Sequence, residues 1–281
     1  MNQAKVLNFF GLLLIMFGMS FAIPLFVAIF YGESLIRVFG LGMSILVLMG
    51  FLSWFFTKDN KQELSLSDGF VITVLFWIVL SVSGSIPFIL FGFGVVDSFF
   101  ESMSGITTTG ATVIAGLDDL PKSLLIYRQL LQWLGGMGLI VLAIAVMPLL
   151  GIGGGQLFKT QTPGPMSEQR LTPRITSTAR ALWSIYFVLT VLCIFAYRLA
   201  GMNYFDAVSH AFSTVSIGGF STHDLSIGFF DSLSIEIVCI TFMLLSAMSF
   251  AVHYSAIYRK QVLKYFYDPE LRFFVSLLIV I

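Results

Sequence analysis

Charged residues are scarce in this sequence. They make up 11% of its 281 residues, against roughly 25% in an ordinary soluble domain. Hydrophobic residues reach 57% and the mean hydropathy is +0.94, more apolar surface than a water-soluble fold can hide. The few charges also balance, 15 Lys and Arg against 15 Asp and Glu. The basic excess of a nucleic-acid binder is therefore absent, and no nucleic acid is expected as a partner. Cysteine is rarer still: Cys193 and Cys239 each lie within an apolar run, with no CxxC pair, and read as packing residues. His210, His223 and His253 share no spacing that suits a metal site. The Gly151 to Gly155 run (GIGGG) has no Lys-Ser or Lys-Thr after it and no strand before it, so it is not a phosphate loop. A cytoplasmic turn with room for a docking partner fits it better. No nucleophile and base are paired at membrane depth, which argues against an enzyme and against an organic cofactor.

What the sequence does have is length in its apolar runs. A hydrocarbon core about 30 Å thick takes around 20 helical residues to cross. Stretches at roughly 6 to 30, 36 to 56, 69 to 92, 124 to 150 and 178 to 200 qualify, and a sixth covers about 233 to 258. The first lacks a small-residue cleavage pattern and is kept as a membrane helix. Basic residues set the orientation, because cytoplasmic loops retain them. Lys5, Lys58, Lys61, Lys159, Arg170, Arg174, Arg180, Arg259, Lys260, Lys264 and Arg272 fall on one side, leaving Arg37, Lys122, Arg128 and Arg198 for the other. The amino terminus is expected in the cytoplasm. Arg128 and Arg198 then lie near the outer interface, where they could snorkel.

That orientation forces the segment between the third and fourth spans to begin and end outside. Phe99, Phe100, Met103 and Ile106 are nevertheless apolar there, and Met202 to Asp231 repeats the situation. Both segments read as re-entrant. An offset of 109 sets Asp97 to Ala111 (DSFFESMSGITTTGA) on Asp206 to Phe220 (DAVSHAFSTVSIGGF), so the unit of helix, re-entrant loop and helix occurs twice. Each copy begins as a short helix, with Asp97 and Asp206 expected as its N-caps. Its carboxyl end carries about half a negative charge toward the membrane centre, which favours a cation. Glu101 and His210, opposite one another in the alignment, are expected to anchor these helices.

Thr107, Thr108, Thr109 and Gly110 follow the first short helix, and Ser216, Ile217, Gly218 and Gly219 follow the second. β-branched residues beside glycine suit an extended strand whose carbonyls turn to a common axis. Carbonyls so arranged replace the water around a dehydrated monovalent cation. Neutral oxygen ligands suit potassium or sodium better than a transition metal. Asp118, Asp119 and Asp224 could concentrate cations at the outer mouth or be ordinary solvated loop charges. Trp133, Gly135, Gly136 and Gly138 form a close-packing helix face.

Ser104 to Val113 (SGITTTGATV), Tyr127 to Gly138 (YRQLLQWLGGMG), Gln161 to Pro165 (QTPGP) and Ser213 to Asp224 (STVSIGGFSTHD) together resemble the Trk, Ktr and HKT superfamily of potassium transporters, over essentially the whole chain. The resemblance implies two leading helices, then four repeats of helix, pore loop and helix around one pseudo-fourfold pore. It also implies a homodimer in the bacterial inner membrane, in contact with lipid, and regulation by a cytosolic nucleotide-binding ring subunit. Carried over residue by residue, it places main-chain potassium ligands at Thr108, Thr109, Ile217 and Gly218, supported by Thr107, Gly110, Ser216 and Gly219. Relatives that admit sodium bear serine at the position of Gly110, so glycine there implies potassium selectivity.

The expected architecture is an all-α integral membrane protein. Two leading transmembrane helices occupy 1–68, pore repeat 1 occupies 69–150, a cytoplasmic linker 151–177 and pore repeat 2 178–258; 259–281 holds a cytoplasmic loop and the start of repeat 3. Leu271 to Ile281 gives only about 16 Å of helix, so the sequence is expected to be incomplete, with potassium uptake belonging to a larger pore. A non-conducting membrane scaffold and a membrane-embedded enzyme are the alternatives.

Overall fold

Proline at position 24 is the first residue to interrupt the chain's helical course. Its ring has no N–H to donate and collides with the carbonyl four residues back, that of Ser20. In the computed structural model, which describes residues 3–58, 66–146, 171–258 and 260–280, helix α1 (Gln3–Ser20) therefore closes with a tight turn. The Phe21 amide donates to the Gly18 carbonyl at 3.1 Å before α2 (Ala22–Tyr31) resumes. The expected first span is thus two helices that together form one apolar stretch of 29 residues.

Helices α3 (Ile36–Thr57) and α4 (Leu66–Phe91) follow the expected spans closely, as does α6 (Lys122–Val146) over its described length. Helix α7 (Leu171–Leu199) starts seven residues before the expected point at 178. Between the long helices lie the short α5 (Val95–Ile106) and α8 (Tyr204–Ser216). Residues 151–170, which include GIGGG, QTPGP, Lys159 and Arg170, lie outside the described residues, as do 147–150, Lys61 and Arg259.

The sixth stretch departs from expectation. Instead of one helix over 233 to 258, α9 (Leu233–Ala247) and α10 (Phe250–Tyr258) meet at 92°. No proline or glycine marks the break; Met248 turns extended there, at φ −68° and ψ 148°. The buried His253 ring compensates, its Nε2 donating to the freed Leu245 carbonyl at 2.8 Å and its Nδ1 accepting from the Tyr265 hydroxyl at 2.7 Å. A short helix, α11 (Lys264–Tyr267), leads to α12 (Pro269–Val280), whose first turn has proline at its start and Asp268 Oδ1 accepting from the Leu271 amide at 3.1 Å.

Packing is organised around α6. Phe21, Phe39 and Phe88 surround Tyr127, with ring centroids 5.2, 5.4 and 5.3 Å away, and the Tyr127 hydroxyl donates to the Gly84 carbonyl at 2.7 Å. Such pairs each contribute about 0.5–1.5 kcal/mol beyond area burial. On the other side Trp133 stacks on Phe212 at 5.2 Å, and Tyr186, Tyr197, Ala207, Ala211 and Val215 form a second core. Val6, Phe10 and Ile72 form a third, smaller core, and many of the other apolar side chains point outward. The windows of Gln3–Tyr31, Ile36–Thr57, Asp68–Phe91 and Arg180–Leu199 that could cross a membrane are only 22–44% buried. Apolar faces that remain uncovered by protein are what a lipid-facing bundle requires.

Candidate functional site

The two short helices begin alike but not as the sequence suggested. Asp97 and Asp206 both occupy the third helical position, and the caps are Gly94 and Asn203, again 109 apart. Gly94 offers no side chain. The Asn203 side chain accepts from the Asp206 amide at 2.9 Å and donates to Asp206 Oδ2 at 2.6 Å, while Asp206 Oδ1 accepts from the Thr222 hydroxyl at 2.8 Å. The aspartates therefore place charge in the positive first turn, and Asp206 also ties its helix to the chain beyond the second loop.

The carboxyl ends match bond for bond. The Thr109 amide donates to the Ser104 carbonyl at 2.9 Å, and the Gly218 amide to the Ser213 carbonyl at 2.8 Å. Inside these, Thr108 donates to Gly105 at 3.0 Å and Ile217 to Thr214 at 3.1 Å. This closure needs a left-handed residue, and both copies put a β-branched one there: Thr108 and Ile217 each have φ 54°. Gly110 and Gly219 follow at φ 78° and 84°. The expected extended strands are thus replaced by a turn with positive φ at alternate residues. Alternation of handedness is a way for successive carbonyls to face one side, which an ordinary strand cannot do.

Among the described residues, no donor reaches the carbonyls of Thr108, Thr109 or Ile217. The Gly218 carbonyl, by contrast, accepts from Gln132 Nε2 at 2.7 Å in the interior. The Thr107 hydroxyl folds back onto the Met103 carbonyl at 2.7 Å and shares a 2.8 Å contact with the Thr109 hydroxyl; Ser216 folds back onto Ser213 at 3.1 Å. The loops touch at Gly110, where a Cβ would collide with the Gly218 carbonyl and come within 3.5 Å of the Gly219 Cα. With φ at 78° as well, only glycine fits position 110 without strain.

Helix α6 holds both loops from behind. Arg128 is not a snorkelling residue. It is fully buried against Glu101, with Nε and Nη2 both 2.7 Å from Oε1. It also donates to the Ser221 carbonyl at 3.1 Å and the Thr112 hydroxyl at 3.0 Å, and its guanidinium lies 4.4 Å from the Phe220 ring centre. Glu101 accepts from the Thr112 hydroxyl and the Val113 amide as well, so the expected anchor is an ion pair spanning both loops. His210 anchors the second helix by a different route: Nδ1 donates to the Asp206 carbonyl at 2.9 Å and Nε2 accepts from Ser221 at 3.0 Å. One turn along α6, Gln132 reaches the second loop. Beyond it Gly135 abuts the Ile106 carbonyl, and a Cβ at Gly136 would lie 2.9 Å from the Tyr186 hydroxyl and 3.0 Å from Ser216. The glycine face therefore packs against the carboxyl ends of both short helices. Gln132 escaped the sequence reading, although its spacing of four from Arg128 on an apolar helix was a usable signal.

The acidic residues expected at an outer mouth take a further correction. Asp224 is not a free vestibule charge, because its carboxylate accepts from the Gly116 and Leu117 amides at 3.1 Å each. Asp118 contacts His223 Nδ1, and His223 stacks on Phe229 at 3.5 Å. The hydrogen bond from His223 holds the Asp118 carboxyl below its ordinary range. A lowered carboxyl pKa stabilises the fold above the unfolded value and loses that contribution as pH falls through the folded value. Asp118→Asn should therefore lower the hydrogen-exchange protection of Leu117–Asp119 at neutral pH, with the difference from wild type vanishing as pH falls through the lowered Asp118 pKa. Equal protection of the two proteins at pH 7 would show that the contact does not hold the loop.

The model of a family described as "TrkH: Cation transport protein" matches residues 35–281. The Trk system potassium uptake protein TrkH of Halomonas elongata is 49% identical over 281 residues, which are 99% of this chain and 58% of that protein. TrkH of Escherichia coli K12 is 44% identical over 98% of this chain and 58% of that protein. The crystal structure of the potassium transporter TrkH from Vibrio parahaemolyticus has a TM-score of 0.88 at 46% identity, covering 100% of this chain and 57% of that one. The chain spans rather more than half the length of the relatives it matches.

Proposed function

The chain belongs to the TrkH family of cation transport proteins, and on that premise we propose that it forms part of a potassium uptake pore in which main-chain carbonyls select the ion. The ligands in this reading are the carbonyls of Thr108, Thr109, Ile217 and Gly218, with Thr107, Gly110, Ser216 and Gly219 shaping the loops. One observation carries it: two loops 109 residues apart end their helices in the same left-handed turn and meet at Gly110 and Gly218, with three of the four carbonyls unclaimed among the described residues. The helix ends behind those carbonyls add negative potential. Neutral oxygens around a dehydrated cation are the chemistry of a potassium site.

The two loops supply half of a fourfold ring, so conduction belongs to the protein assembled with further loops. The wider reading comprises a homodimer in the bacterial inner membrane, an amino terminus in the cytoplasm, two pore repeats at 69–150 and 178–258, and a cytosolic nucleotide-binding regulatory subunit. The uncovered apolar helix faces support the membrane setting, and relatives named as Trk system potassium uptake proteins support uptake within a system of several parts.

Gly110→Ser tests the filter. The new Cβ meets the Gly218 carbonyl and must adopt a left-handed backbone. In proteoliposomes carrying the full-length natural protein, selectivity for potassium over sodium should fall by at least about tenfold, the effect of roughly 1.4 kcal/mol at one site. Unchanged selectivity would remove these loops from the filter.

A further inference from the structure

We propose that Gln132 is a positioning residue for ion selection, its side-chain amide setting the direction of the Gly218 carbonyl in the second loop. The inference rests on the filter reading above and extends it to a side chain of the opposite repeat. Gln132 is fully buried and spends its carboxamide on that loop alone. Nε2 donates to the Gly218 carbonyl at 2.7 Å; Oε1 accepts from the Ser213 hydroxyl at 2.8 Å and from the Phe220 amide at 3.1 Å. The orientation of the amide is unambiguous, because the Phe220 N–H can only donate and the Gly218 carbonyl can only accept.

The Gly218 amide is held on the Ser213 carbonyl at 2.8 Å and its carbonyl packs at Gly110, but the peptide that carries that carbonyl joins two glycines and has Gln132 as its hydrogen-bond donor among the described residues. Gly218 lacks a side chain and lies between two residues of positive φ, Ile217 and Gly219, so that peptide plane is free to rotate at small steric cost. A carbonyl oxygen has two lone pairs, and the Gln132 N–H occupies one of them while fixing the direction of the other. The side chain itself cannot drift, since its oxygen is held from the helix end on one side and from the residue after the filter glycine on the other. The brace also runs one way. Among the described residues, no side chain of α9 or α10 donates to the carbonyls of Thr108 or Thr109, whereas α6 donates to that of Gly218.

Two variants separate positioning from general stability, both measured in the full-length natural protein with Gly110→Ser alongside. Gln132→Leu keeps the volume and removes all three bonds; the potassium-to-sodium ratio should fall roughly tenfold while transport persists. Gln132→Glu keeps both accepting roles, and as a neutral acid it still donates to Gly218, whereas as a carboxylate it does not. Its selectivity should match wild type at low pH and fall as pH rises through the glutamate pKa, a profile the wild type lacks. Wild-type selectivity in both variants, when Gly110→Ser has lost it, overturns the role of Gln132. So does a Gln132→Glu protein whose selectivity is independent of pH. Unchanged selectivity in Gly110→Ser overturns the filter reading itself, and this inference with it.

Discussion

Replacing Arg128 with methionine should cost about 3–5 kcal/mol of stability, the range for removing one partner of a buried ion pair. Both charges are fully shielded from solvent, so the Glu101 carboxylate would remain in a dry interior with only Thr112 and Val113 to hydrogen-bond it. The arginine also ties the Ser221 carbonyl, beyond the second loop, to Glu101 of α5 and Thr112 beyond the first. Its loss leaves the Ser221 carbonyl without that donor as well. The double replacement Glu101→Gln with Arg128→Met should be less damaging than Arg128→Met alone, since no net charge is then stranded. Thermal unfolding in detergent compares the two directly. A single variant within about 1 kcal/mol of wild type, the range of an exposed pair, would mean that water reaches the pair.

The sequence disclosed the spans because apolar transfer into lipid depends on composition over about 20 residues, and it disclosed the repeat because Asp97 and Asp206, Gly110 and Gly219 keep their spacing. Backbone direction was harder to read. Pro24 held a usable signal for the closure of α1 at Phe21, which the single span at 6 to 30 passed over, but nothing in Ala247, Met248 and Ser249 announces a 92° turn. That break is visible only once His253 is seen on the Leu245 carbonyl. Thr108 and Ile217 misled because β-branched side chains favour strands, a local preference that the closure of the preceding helix overrides. Arg128 misled in another way. Its place on the helix was legible, whereas the buried carboxylate that turns it inward is 27 residues away in sequence. An ionisable residue at membrane depth calls for a named partner, and Glu101, already picked out as an anchor, was the available one.

Gly135→Ala should be the most damaging glycine replacement in α6. Its Cβ would land on the Ile106 carbonyl, with the Ile106 carbonyl carbon at 2.7 Å and its Cα at 3.0 Å, and all three atoms are backbone. A flexible side chain could move aside, but here α6 or α5 must shift as a whole, at a cost of roughly 1–3 kcal/mol or more. Two controls bracket the result. At Gly138 a Cβ meets only the edge of the Phe76 ring, which can rotate away, so alanine there should cost less. At Gly40, in α3, nothing lies within 4 Å, and alanine should be neutral or add about 0.5–1 kcal/mol through its helix preference. The damage at Gly135 should also reach the loop proposed as a filter, because Ile106 is the last helical residue before Thr107. A displaced Ile106 carbonyl moves the start of the turn that orients Thr108 and Thr109. Gly135→Ala should thus lower both the unfolding temperature and the potassium-to-sodium ratio, while Gly40→Ala lowers neither. A Gly135→Ala protein as stable and as selective as Gly40→Ala would show that α6 does not bear on the end of α5.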